Sequence, residues 1–387
     1  MLPEVLDTPQ RKPVRELAQA LLSDRLPTQR TLEVDAAGAF PGDVWAALGE
    51  TGLLGLGISE EVGGSGGDVG DSALVTLEIA RRLPSLAVDY VLCGMVARTI
   101  AEHGTSDQRA WLAGIAEGSR ICAYGLSEPD VGTDLLRLRT RAEETADGWV
   151  LNGRKQWISL AEHAELIFVL ARTSPPEEGR SLAHGLSLIA VPTDQPGVGI
   201  QRTHLAGMRA AGTCEVVLTD AVAPAGHLIG TPGRGFHLLR DTLNIERVLA
   251  ACLSLGIGRG ALDLALSYAG ERSAFGRPIG GMQALQHGLA DSAAELGAAT
   301  SLVDQAVHAL LAGTDATSLS AMAKLISSET SARITDRGMR LMAAHGLSVE
   351  TPMQMFFRDA RLQLFSPVSN EMVRNMLGEA LGLPRSY

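Results

Sequence analysis

Ala123-Tyr-Gly-Leu-Ser-Glu-Pro-Asp-Val-Gly-Thr-Asp134 stands where a helical sequence pattern gives way to strands. A Tyr and a small hydroxyl residue precede Glu-Pro, and a Gly-Thr-Asp turn follows. Pro129 has no N–H to give a sheet ladder, and Gly132 tolerates a positive φ. The stretch reads as an irregular loop at a domain junction. Such a loop can offer backbone N–H groups and hydroxyls to a planar polar ligand.

N-terminal to the loop, residues 1–120 read as a helical domain, with helices over 44–53, 73–82, 90–103 and 108–118. Glu60-Glu-Val-Gly-Gly-Ser-Gly-Gly67 is glycine-rich, but no strand precedes it and no Lys-Ser/Thr follows, so it is not a phosphate loop. C-terminal to the loop, residues 121–230 carry short strands. Gly148-Trp-Val-Leu-Asn-Gly-Arg-Lys-Gln-Trp-Ile-Ser159 reads as two strands about an Asn-Gly turn, and 166–171, 186–191 and 214–218 read as further strands. The expectation is a small β-barrel or sandwich. Residues 231–387 are helical again over 236–271, 282–312, 317–345 and 371–381, a four-helix bundle. The fold class is mainly α with a central β domain.

A formal charge of −11 argues against nucleic acid as a partner, because phosphate binding needs a basic face. There is no run of 18 apolar residues, the hallmark of a membrane-spanning helix. Glu4, Asp7, Arg11 and Lys12 crowd the N-terminus without an apolar leader, so the expected localisation is cytoplasmic. The four cysteines are scattered in apolar surroundings, with no metal-ligand spacing, and read as reduced core residues.

Five motifs, in order, resemble those of the acyl-CoA dehydrogenase family over nearly the whole chain. They are Trp45 with the 60–67 loop, Tyr124 to Asp134, Gly153-Arg-Lys-Gln-Trp-Ile-Ser159, Glu271-Arg-Ser-Ala-Phe-Gly-Arg-Pro-Ile279 with Gln283 and Gln286, and Arg358-Asp-Ala360. The resemblance implies FAD as cofactor. Tyr124, Leu126 and Ser127 would meet the isoalloxazine, Trp157 would cover it, and Ser159 would bond near it. Gly132 and Thr133 would approach the pyrophosphate or the thioester. Arg272, Phe275, Gln283 and Gly346 would meet the ADP half across a subunit boundary, and Ser369 and Glu371 would also bind the cofactor. A shared cofactor implies a homo-oligomer, a dimer of dimers. An electron-transfer flavoprotein or similar acceptor would take the electrons. Independently of the family, an electron-rich tricycle calls for aromatic cover and N–H or O–H donors, and a pyrophosphate calls for Arg and bare backbone.

The resemblance also implies oxidation of an acyl thioester, on CoA or a carrier protein, at Cα–Cβ. Alignment places Pro367 where most members carry the proton-abstracting Glu, and proline brings neither a carboxylate nor an N–H. A second position used by some members, in Leu-x-x-Glu-Arg, is matched by Leu243-Asn-Ile-Glu-Arg247. Leu239, Leu243, Glu246, Leu249 or Ala250, Leu253 and Gly256 make one helical stripe, so Glu246 falls on an apolar face. Burial there would raise its pKa toward that of a base for neutral pH. The alternatives are a structural ion pair with Arg247 or another helix, a non-catalytic partner subunit of a hetero-oligomer, or other flavin chemistry on the same fold. The family's Gln-x-x-Gly-Gly is matched only by Met342-Ala-Ala-His-Gly346.

Overall fold

The computed structural model describes residues 2–176 and 178–385. The chain opens with α1 Lys12–Arg25, α2 Thr28–Ala37, α3 Gly42–Glu50, α4 Val69–Ala80 and α5 Pro84–His103. The expected 108–118 helix is two short ones, α6 Ser106–Arg109 and α7 Trp111–Ala116. A capping box between Thr105 and Gln108 starts α6 ahead of the apolar run.

The β domain is one eight-stranded sheet. Its strands are β1 Cys122–Gly125, β2 Arg141–Thr145, β3 Gly148–Ile158, β4 Leu166–Arg172, β5 Leu186–Pro192, β6 Val198–Arg202, β7 Cys214–Pro224 and β8 Leu228–Ile229. The order is β6-β7-β3-β2-β4-β5-β8, with β1 parallel to β4. The Asn-Gly turn expected within 148–159 does not form, and β3 runs unbroken through it. Asn152 instead exchanges two 2.9 Å hydrogen bonds with Asp220 of β7. Gly153 admits Thr140 so closely that a Cβ would lie 2.4 Å from its hydroxyl. The reversal falls on Ala146-Asp147, between the paired Thr145 and Gly148.

The C-terminal part comprises α8 Gly235–Glu271, the hairpin β9 Ser273–Ala274 and β10 Arg277–Pro278, α9 Gln283–Leu311, α10 Thr317–Met342, α11 Ala344–Leu347, α12 Met353–Asp359 and α13 Asn370–Ala380. α8 is the axis of the molecule and packs on α4, α5, α9 and α10. Gly256 makes the first of these contacts possible, since a Cβ there would lie 2.5 Å from the Leu77 carbonyl oxygen. α5 and residues 242–271 are apolar and long enough to cross a bilayer, but 72% and 78% of their apolar windows are buried against protein. Helices apolar all round are core helices when protein surrounds them.

Arg358-Asp-Ala360 staples three segments together. The Arg358 guanidinium donates to Asp35 on α2 at 2.5 Å and to the Ala206 carbonyl at 2.6 Å, while Asp359 accepts from the Met208 N–H at 2.6 Å. α10 stops three residues short of the expected end, at Ala343, whose φ of 51° and ψ of −128° suit glycine and not an L-residue. Ala343→Gly should therefore stabilise the protein by about 1 kcal/mol net, against the usual loss for a new glycine, read as a higher urea midpoint at unchanged slope.

Candidate active site

The 123–134 loop is fixed from below. Glu128 and Val131 exchange backbone hydrogen bonds of 2.9 and 3.1 Å, closing a turn over Pro129-Asp130. The Glu128 side chain turns inward and is 7% exposed. Its carboxylate accepts from the Arg139 N–H (2.7 Å), the Thr140 N–H (2.9 Å), the Thr140 hydroxyl (2.6 Å) and the Lys155 ammonium (2.9 Å). Lys155, wholly buried, also donates to the Leu126 carbonyl at 3.0 Å. Burial pushes the Glu128 pKa up, but Lys155, Thr140 and the two N–H groups outweigh it and hold the carboxyl below its usual range. Burial pulls Lys155 down to about 8 even though Glu128 opposes it. The sequence motifs contain both residues, yet nothing in their spacing shows that they pair.

This staple sets out the candidate ligand face. The Ser127 carbonyl accepts from the Gln156 N–H at 2.9 Å, which brings Ser127 alongside Trp157. Trp157 sits at a register shift of β3 with φ of 64° and is 54% exposed. A large ring held in the left-handed region and turned to solvent is costly unless something covers it. Among the described residues the hydroxyls of Ser127, Thr133 and Ser159 make no hydrogen bond, so they remain open to a ligand. Gly132 does not take a positive φ, and no atom lies within 4 Å of where its Cβ would project. The Tyr124 side chain is anchored from behind. Its hydroxyl pairs with Thr99 at 2.6 Å and donates to the Met95 carbonyl at 3.2 Å, so the ring pins β1 to α5.

Across from this loop stands Glu246 on α8. Among the described residues it has no hydrogen bond or salt bridge. Arg247 turns away to Asn244 (3.1 Å) and the Met376 sulfur (3.5 Å), so the structural ion pair does not form. Burial raises the Glu246 pKa to about 7, with Arg247 opposing. The Glu246 charge is felt at the Tyr124 hydroxyl, where Thr99 and Met95 of α5 hold it. Pro367 is exposed. Its turn is carried by Lys324, another buried cation, whose ammonium donates to the Val368 carbonyl and the Asn370 side chain, both at 2.7 Å. Ser369 caps α13, its hydroxyl oxygen accepting from the Met372 N–H at 3.3 Å, and Glu371 is exposed in the first turn.

The remaining expected residues lie elsewhere. Arg272, Phe275 and Gln283 are exposed around the β9–β10 hairpin, and Phe275 is 96% exposed. Arg272 is 26 residues along from Glu246 (272 − 246), about 39 Å at 1.5 Å per residue. One chain therefore does not bring these residues to the loop. Gly346 is buried inside α11, where a Cβ would meet Met339 at 3.0 Å.

Three family models match the chain: acyl-CoA dehydrogenase N-terminal domain over 8–119, middle domain over 123–221 and C-terminal domain over 233–382. A probable acyl-CoA dehydrogenase of Bacillus subtilis, YngJ, is 33% identical over 97% of this chain and 98% of its own. The butyryl-CoA dehydrogenase structure from Megasphaera elsdenii superposes with a TM-score of 0.91 at 29% identity, covering 97% of this chain and 98% of that one. A chain from a structure reported as an electron transferring flavoprotein of Acidaminococcus fermentans superposes with a TM-score of 0.92 at 29% identity, covering 97% and 98%.

Proposed function

The chain belongs to the acyl-CoA dehydrogenase family, oxidoreductases acting on CH–CH groups, and from that premise we propose that it binds FAD and desaturates an acyl thioester with Glu246 as the α-proton base. One observation carries the assignment of the base. Glu246 is a half-buried carboxylate on an apolar helix face, with no partner of its own among the described residues, its charge felt at the Tyr124 hydroxyl and its pKa raised to about 7. An unpaired buried carboxylate is expensive, and such groups concentrate at sites of proton transfer. Pro367 brings no acid.

Flavin fits the surface beside Glu246. The exposed Trp157 ring and the open hydroxyls of Ser127 and Ser159 suit a planar heteroaromatic, and the uncrowded backbone at Gly132 suits a phosphate or thioester. Bound flavin supplies the hydride acceptor. The protein's own part is to orient the thioester over Trp157 and Ser127 and to take the α-proton at the Glu246 carboxylate. Because Pro367 lacks an N–H, the thioester oxygen must be polarised by other donors. Arg272, Phe275 and Gln283 reach a cofactor only from a second copy of the chain, which supports a homo-oligomer with sites between subunits. The electron acceptor is an electron-transfer flavoprotein or a similar carrier. CoA or a carrier protein delivers the acyl group.

Anaerobic mixing with a panel of acyl thioesters tests the reading. A yellow protein whose flavin bleaches is expected, with a rate that rises with pH through about 7 as Glu246 ionises. A colourless protein, or a flavin that no thioester bleaches, would instead mark a non-catalytic partner subunit.

A further inference from the structure

A second polar feature lies one turn of α8 from Glu246. Leu249 closes one side of a cavity of about 30 Å³. Its other walls come from Val91, Gly94, Met95 and Arg98 of α5 and from the 54–58 loop. One water needs ~10–15 Å³ on this measure, so the space holds about two, the footprint of the two oxygens of a carboxylate. Met95 ties the cavity to the reaction loop, because its carbonyl accepts from the Tyr124 hydroxyl at 3.2 Å.

The walls are apolar with few exceptions, and most of those are spoken for. The Ser72 hydroxyl donates to the Leu56 carbonyl at 3.3 Å, and the Tyr90 hydroxyl donates to the Leu53 carbonyl at 3.1 Å. Arg98 is different. Among the described residues its guanidinium makes no hydrogen bond, and its salt-bridge partner Glu102 stands off at 3.9 Å, beyond hydrogen-bond reach. Gly57, at φ of 82°, leaves the space beside it free, where a Cβ would lie 3.3 Å from Nη2. A mostly buried planar cation with five donors and no hydrogen-bond acceptor among the described residues is matched to a planar anion.

We propose that Arg98 receives the far end of the acyl chain as a carboxylate, so that the substrate is a short ω-carboxyacyl thioester. The assignment rests on the Glu246 site. The chain must be short because three residues of α8, about 4.5 Å of rise, separate the levels of Glu246 and Leu249. No bond is made or broken at Arg98, which acts in specificity alone.

The test measures binding and bleaching separately on the purified holoenzyme with glutaryl-CoA and valeryl-CoA, which have equal chain length. Calorimetry should show glutaryl-CoA binding the tighter. Arg98→Met should weaken glutaryl-CoA by roughly 10–100-fold and leave valeryl-CoA within about threefold, the loss expected for a charge-assisted hydrogen bond. Arg98→Lys should lose less, and Glu102→Gln, which removes the competing carboxylate, should lose nothing. Valeryl-CoA binding as tightly as glutaryl-CoA, or Arg98→Met weakening both alike, overturns the proposal. Tight, Arg98-dependent glutaryl-CoA binding without bleaching upholds it and sinks the Glu246 reading instead.

Discussion

Glu246→Gln should keep its flavin and lose turnover by roughly 10²–10⁴-fold, the contribution of a positioned general base. The amide is nearly isosteric and accepts no proton. Exchange of the substrate's α-hydrogen with deuterated solvent should fall in parallel, because it needs the base and not the hydride step. Neither Glu128, locked into four hydrogen bonds, nor Glu371, which faces solvent, is placed to substitute. Turnover within tenfold of the parent would remove Glu246 from the reaction. The same change should stabilise the fold, and the sign follows from linkage. The Glu246 carboxyl titrates near 4.5 when unfolded and near 7 when folded, so the native state loses stability as pH rises between those values and none further above them. Glu246→Gln escapes that loss. Its unfolding free energy should match the parent's below pH 4.5 and exceed it at pH 8, by roughly 2 kcal/mol after allowing for partial solvent access. A base that costs stability where it works is the pattern of a site selected for chemistry.

The sequence made the three-part layout legible because its hydrophobic period changes sharply at the 123–134 loop and again near Gly235. Glu246 stood out by its likeness to the Leu-x-x-Glu-Arg of some family members, and the apolar stripe it falls on supported that reading. The Asn152-Gly153 turn was misread because local turn chemistry was outweighed by a cross-strand pair with Asp220, 68 residues away. Tyr124 was placed on the ligand face by position in a motif, but its hydroxyl is held by Thr99 and Met95 of α5, a contact that no local pattern encodes. The glycine-like conformation in the 342–346 stretch belongs to Ala343, where the residue type hides it. Lys155, Lys324 and Arg98 escaped notice because a buried cation looks like a surface one until its surroundings are known.

Lys155→Met should be the most destabilising single change in the site, by roughly 3–5 kcal/mol, because it leaves the Glu128 carboxylate buried without its cation. The hydrogen bonds from Arg139 and Thr140 remain, so the loop loses its charge balance and not its whole framework. The Leu126 carbonyl also loses its donor, and Ser127 and Trp157 hang from the same segment. Flavin content should therefore fall along with the melting temperature. The double variant Glu128→Gln/Lys155→Met separates the two effects. Removing both charges relieves the unpaired carboxylate, so the double variant should be more stable than Lys155→Met alone by about 1 kcal/mol or more. It should still bind flavin poorly, because the Leu126 anchor is gone. The pH dependence gives a third check. Glu128 titrates below its unfolded value, so its contribution is present above pH 4.5 and is lost as pH falls through the folded pKa. Lys155→Met should erase most of that acid limb, since the ammonium is the largest of the influences holding the carboxyl down. If Lys155→Met melts with the parent and keeps its flavin, the loop is held by its backbone hydrogen bonds alone. The buried pair would then be a consequence of the fold and not the reason the loop presents Ser127 and Trp157 together.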